Sequence, residues 1–171
     1  RTARFAEMRD LVASNVDRRF RRYMGFRRLL GAVRVDYAAR TLALGVGVEG
    51  RQPSFDLKAL SGGERSVSTL CLVMALGQEG LCPPFHALDE FDVFMDAVNR
   101  RYALMFLLEF AHVFADRQFF VLTPQDLGAL AQARENLQQQ RGIRLSDGAL
   151  RTIIMNPPQR GAGGFATPAA S

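Results

Sequence analysis

The sequence predicts an α/β domain, with a mostly parallel sheet flanked by helices. Three observations predict it. Two short apolar runs, at 85–88 and 118–123, have the composition of buried parallel strands. A helical period over 96–115 lies between them, as a crossover between parallel strands requires. Further helical stretches, at 62–76 and 126–140, stand before and after.

The elements follow in order. Val12, Val16, Phe20 and Met24 recur every four residues, with Phe5 and Met8 extending the stripe back, so 2–24 reads as an amphipathic helix. Asn15 and Asp17 do not stop it. Arg18, Arg21 and Arg22 fall roughly opposite and read as a solvated face, with a phosphate-contacting stripe as the alternative. The period then changes to two. Val33, Val35 and Tyr37 alternate, as do Leu42, Leu44, Val46 and Val48, which predicts a hairpin turning near Arg40. Residues 49–59 read as loop. The second helix is bounded by Gly62 and Gly77, and 80–84 reads as a turn. Residues 150–155 read as a final strand. Residues 157–171 carry three Pro, three Gly and four Ala, and are expected to be flexible.

Composition narrows the function. A chain of 171 residues, 48% hydrophobic and 23% charged, can form one core without staples. No run approaches the roughly 18 apolar residues of a membrane span, and no membrane partner is expected. The start lacks Met and a signal-peptide core, so we expect a piece of a longer protein. Basic residues exceed acidic by 22 to 17, giving +5; this suits nucleic acid without demonstrating it. Cys71 and Cys82 make no disulfide framework and read as reduced thiols of an intracellular protein.

Two motifs carry chemistry. In Leu60-Ser61-Gly62-Gly63-Glu64-Arg65-Ser66, a hydroxyl and two glycines stand where a helix begins. A helix start exposes unpaired N–H groups and the positive end of its dipole, and glycines let an oxyanion approach. The same residues also read as a plain capping box, with Glu64 three residues after Ser61. In Phe85-His86-Ala87-Leu88-Asp89-Glu90, an apolar strand delivers two adjacent carboxylates to its end. Strand neighbours point opposite ways, so Asp89 could serve Mg²⁺ through a water while Glu90 polarises an attacking water near a γ-phosphate. The plainer reading is a charged strand end with no role. His86 reads as a satisfied core histidine and His112 as a packing residue.

Together, LSGGERS and ALDEFDVFMDAVN, spaced 28 residues from Ser61 to Asp89 (89 − 61), resemble the ATP-binding cassette ATPases of the P-loop NTPase class. Within them the chain resembles the SMC (structural maintenance of chromosomes) family, over roughly residues 5–160. DEFDVFMDAVNRR and RQFFVLTPQ are most similar to its sixth eukaryotic branch. The resemblance implies a signature motif at Ser61, Gly62, Gly63 and Glu64 that caps ATP on a partner head. It implies a Walker B at FHALDE, with Asp89 on the magnesium side and Glu90 catalytic. A D-loop would put Asp96 across the interface, and Asn99 matches an Asn common after it. Gly-Lys-Ser/Thr is absent and the only lysine, Lys58, follows Leu57, so Walker A must come from elsewhere.

The resemblance therefore implies the C-terminal lobe of a head: 1–24 as the end of a coiled coil or neck helix, 25–156 as the lobe, 157–171 as a tail. Its implied partners are the N-terminal lobe of the same protein, a second head (the fifth SMC protein), a kleisin subunit and DNA. Its implied setting is chromosome maintenance, repair and recombination in the nucleus. Alone, the lobe would bind ATP poorly and hydrolyse none. Cassette ATPases usually place a switch His after the strand QFFVL, where this chain has Pro124; Thr123 or Gln125 would have to serve instead. The alternatives are a non-hydrolysing DNA-binding or scaffolding domain that retains these motifs, and another cassette-type DNA repair ATPase.

Overall fold

The computed structural model describes residues 2–48, 52–56, 58, 60–79, 83–146 and 148–155. Helix α1 spans Thr2–Met24, and a short 3₁₀ turn, Gly25–Arg27, leads out of it. Strands β1 (Leu29–Asp36) and β2 (Thr41–Val48) pair antiparallel, with Leu29 opposite Val48 and Asp36 opposite Thr41. The predicted alternation therefore forms the predicted hairpin, and Arg40 turns it with φ 53°. Helix α2 spans Gly62–Leu76. Strand β3 (Phe85–Asp89), helix α3 (Ala97–Val113) and strand β4 (Gln118–Leu122) form a β-α-β crossover. β3 and β4 are parallel, with Phe85 opposite Gln118 and Asp89 opposite Leu122. Helix α4 (Gly128–Arg141) packs on α3.

One apolar cluster joins α1, the hairpin, α2 and α3. Phe20, Met24, Val46, Cys71, Met74, Ala75 and Phe106 are among its buried members. β1 lies so close to α1 that a Cβ at Gly31 would stand 2.8 Å from both Met24 Cγ and Phe20 Cε1. Asp17, unusual on an inward-leaning turn of α1, accepts the Val33 N–H at 2.7 Å and fixes the hairpin to the helix. Arg18, Arg21 and Arg22 are exposed, as the helical period predicts. Cys71 is a free thiol that burial pushes up to about 12, so it packs as an apolar group. Cys82 lies outside the described residues.

Several expectations are corrected. Strands β3 and β4 are not buried on both faces. His86, Leu88 and Phe119 turn inward, where His86 stacks on Phe119 and both approach Phe110. Phe85, Ala87, Phe120 and Leu122 face outward and are exposed. The composition of a two-sided strand is present, but among the described residues only one side has a cover. Among the described residues the parallel sheet has two strands, separate from the hairpin.

Residues 150–155 form no strand; Ile153, Ile154 and Met155 lie exposed because no sheet edge reaches them. The stripe at Phe5, Met8 and Val12 is also exposed, since only Val16 and later apolar residues of α1 reach the body. His86 is packed but not satisfied: its Nε2 is buried with no hydrogen-bond partner. Burial, and then Arg117, lower its pKa. His112 is exposed rather than packed. The predicted tail at 157–171 lies outside the described residues.

The tight α1–β1 contact gives a test. Gly31→Val should destabilise the folded chain by about 1–3 kcal/mol through overpacking. Gly25→Ala, where an added Cβ meets nothing within 4 Å, should stay close to wild type. Denaturant midpoints of the two variants decide this.

Candidate functional site

The site is a corner where two helices begin. At the first, Ser61 is extended and its Oγ accepts the Glu64 N–H at 3.2 Å. Glu64 Oε2 in return accepts the Ser61 N–H at 3.0 Å. The capping box and the glycine-rich helix start are thus one object. Among the described residues nothing accepts from the amides of Gly62 and Gly63, which are left over by the geometry of a first turn. Arg27 Nη1 lies 3.9 Å behind Glu64 Oε1.

At the second, Asp96 caps α3: its Oδ1 accepts the Asn99 N–H at 2.8 Å. Its Oδ2 accepts from Asn99 Nδ2 at 2.6 Å. The Asn99 backbone donor is the main cause that lowers the Asp96 pKa below its ordinary value, so this exposed carboxylate stays charged.

The two starts touch. A Cβ at Gly63 would lie 2.5 Å from Asn99 Nδ2 and 3.3 Å from Asp96 Oδ2, so only glycine permits this approach. Gly62 adjoins the Phe94 carbonyl. Asn99 is buried, and its Oδ1 has no partner. Two positive dipole ends therefore lie side by side, each met by a carboxylate of its own chain.

The acid pair stands at the end of β3. Asp89 and Glu90 are exposed, and neither carboxylate has a hydrogen bond or ion pair among the described residues. Glu90 takes a positive φ of 47°, a conformation costly for a side chain with a Cβ. Its N–H donates to the Leu122 carbonyl at 3.0 Å. No group of three or more metal-ligating side chains exists among the described residues. The exposed, unpaired Asp89 carboxylate fits Mg²⁺ held by one carboxylate together with phosphates and water.

The structure brings Ser61–Glu64 together with Asp96 and Asn99. It joins Glu90 to them through the turn 90–96 and not by side-chain contact. Thr123 does not point a free hydroxyl outward, as a switch group would. Its Oγ1 lies 2.9 Å from both oxygens of Asp92 and accepts the Gln125 N–H at 3.1 Å. Gln125 itself is exposed. Sequence reading missed Asp92, which is fully buried, and Arg100, whose Nε donates to it at 2.8 Å. An ion pair eight residues apart, across a turn and a helix start, leaves no periodic trace.

No family model matches the chain. It is 34% identical to "Structural maintenance of chromosomes protein 6" of Homo sapiens over 171 residues, covering 88% of this chain and 14% of that protein. The chain belongs to the structural maintenance of chromosomes family. Solved SMC heads share the fold. One, described as "Structural biochemistry of ATP-driven dimerization and DNA stimulated activation of SMC ATPases", matches with a TM-score of 0.60 at 20% identity. The match covers 75% of this chain and 76% of that one. An "SmcHead bound to the C-winged helix domain of ScpA" matches with a TM-score of 0.59 at 22% identity, over 74% and 39%. In this SMC segment the predicted signature and D-loop residues occupy one corner.

Gly63→Ala tests the corner. The added methyl must displace Asn99, so the Asp96 cap loosens, at a cost of about 1–3 kcal/mol. Backbone hydrogen exchange over 96–100 should rise in that variant; unchanged exchange would separate the two helix starts.

Proposed function

We propose that the chain is the C-terminal lobe of an SMC ATPase head that works by ATP-dependent engagement with a second head. The observation that supports it is the shared corner of two helix starts, with two unpartnered glycine amides, and an exposed acid pair at the other end of the turn 90–96. In this reading Asp89 assists Mg²⁺ and Glu90 polarises the attacking water on ATP held by the Walker A of the same protein's N-terminal lobe. Ser61, Gly62, Gly63 and Glu64 cap the γ-phosphate of ATP on the partner head. Asp96 lies along the seam. The bound nucleotide acts as glue, because the helix start gains a strong anion only when ATP is present.

The partner head is the fifth SMC protein, a kleisin subunit closes the complex, and the setting is repair and maintenance of chromosomal DNA in the nucleus. The relatives' names, one solved head's binding to ScpA and another's ATP-driven dimerization support this assignment. The lobe alone turns over no ATP, since a P-loop has no counterpart in its sequence.

One observation favours a second reading, a head that engages without turnover: Pro124 stands where a switch residue would, and the Thr123 hydroxyl is turned to Asp92. Steady-state hydrolysis by the complete complex separates the two. Glu90→Gln should leave ATP binding intact, keep the heads together and lower turnover by about a hundredfold or more. Normal turnover in that variant would remove Glu90 from the chemistry.

A further inference from the structure

We propose that Asp92, Arg100 and Thr123 form a buried positioning triad that holds Glu90 in its working geometry without touching the nucleotide. The proposal rests on the reading of Glu90 as the water-polarising group. Asp92 is two residues after Glu90 and has no exposed surface. Its carboxylate receives Arg100 Nε at 2.8 Å and the Thr123 hydroxyl at 2.9 Å. Arg100, itself buried, donates from Nη2 to the Asp126 carbonyl at 2.6 Å.

The segment 122–126 therefore grips the turn 90–96 by two tethers, the Leu122 carbonyl on the Glu90 N–H and Thr123 on Asp92, and the first turn of α3 by a third, Asp126 on Arg100. Inside the turn, the Met95 N–H donates to the Asp92 carbonyl at 3.1 Å, so the same anchor reaches Asp96 at the far end.

Stability does not account for this arrangement. A buried ion pair is often matched or bettered by apolar packing, because desolvation offsets its attraction. What such a pair supplies is a single geometry. Glu90 needs one, since its positive φ persists only where the surroundings over-determine it. The loop after β4 thus contributes through position, with Thr123 turned inward where a phosphate-sensing side chain would turn outward.

The test uses the complete complex with its partner head. Thr123→Val keeps the shape and removes the hydroxyl; Arg100→Lys keeps the charge and cannot reach both Asp92 and Asp126. Each should lower kcat for ATP hydrolysis by about tenfold or more, as displacement of a reacting group does. KM for ATP should move by less than about twofold, because no nucleotide contact is lost. Thr123→Ser should recover most of the kcat lost in Thr123→Val. In a Glu90→Gln background Thr123→Val should add no further loss, since the group it positions is gone. A raised KM with kcat intact, losses that multiply in the double variant, or wild-type kinetics in both single variants would overturn the triad. Undiminished hydrolysis by Glu90→Gln alone would instead overturn the reading of Glu90, and the triad with it.

Discussion

The approach of Gly63 to Asn99 is the constraint on which the site depends. Two helices cannot begin side by side unless one of them gives up a side chain at the point of contact, and Gly63 does so. The arrangement concentrates unpaired amides and two positive dipole ends in one place. The chain meets that field with Glu64 at one start and Asp96 at the other. Gly62 and Gly63 keep their amides unspent. A corner of this kind is balanced alone and still attracts an anion, which is what a reversible, nucleotide-dependent contact requires.

Behind that corner the elements are tied together by packing and polar contacts. The second half of α1 lies in the core, and its polar side is fastened to the end of α2. Arg19 pairs with Glu79, Gln78 donates to the Tyr23 hydroxyl, and Asn15 reaches Glu79 at 3.4 Å. Helix α2, which opens at Ser61, is therefore held just past its far end by α1. At the other side of the site the Asp92–Arg100 pair joins α3 to the loop after β4. Gly62 and the acid pair are thus exposed on well-anchored backbones, with Gly63 buried against Asn99.

Much of this was legible in the sequence where the signal was local. The four-residue apolar recurrence gave α1 to its last residue, and the change of period gave the hairpin. Ser61, Gly62 and Glu64 gave both the start of α2 and its capping box, because a cap is written within four residues. The sequence pattern predicts β3 and β4 as buried parallel partners; they are parallel, and one face is exposed. Apolar composition states what a strand is built to sit beneath, and the chain described here covers one face of it. Ile153 and Ile154 misled for a related reason: β-branched residues favour a strand, and a strand still needs an edge. Asp92 and Thr123 were not legible at all as partners, since 31 residues separate them and only the crossover brings them together.

In the proposed engagement the glycine amides at the start of α2 find their anion across the seam between heads. Amide hydrogen exchange at Gly62 and Gly63, followed in the complete complex, addresses it directly. Exchange there should slow only when ATP and the partner head are both present. Slowing with ATP and no partner head, or none with both, would rule out an anion bound between heads.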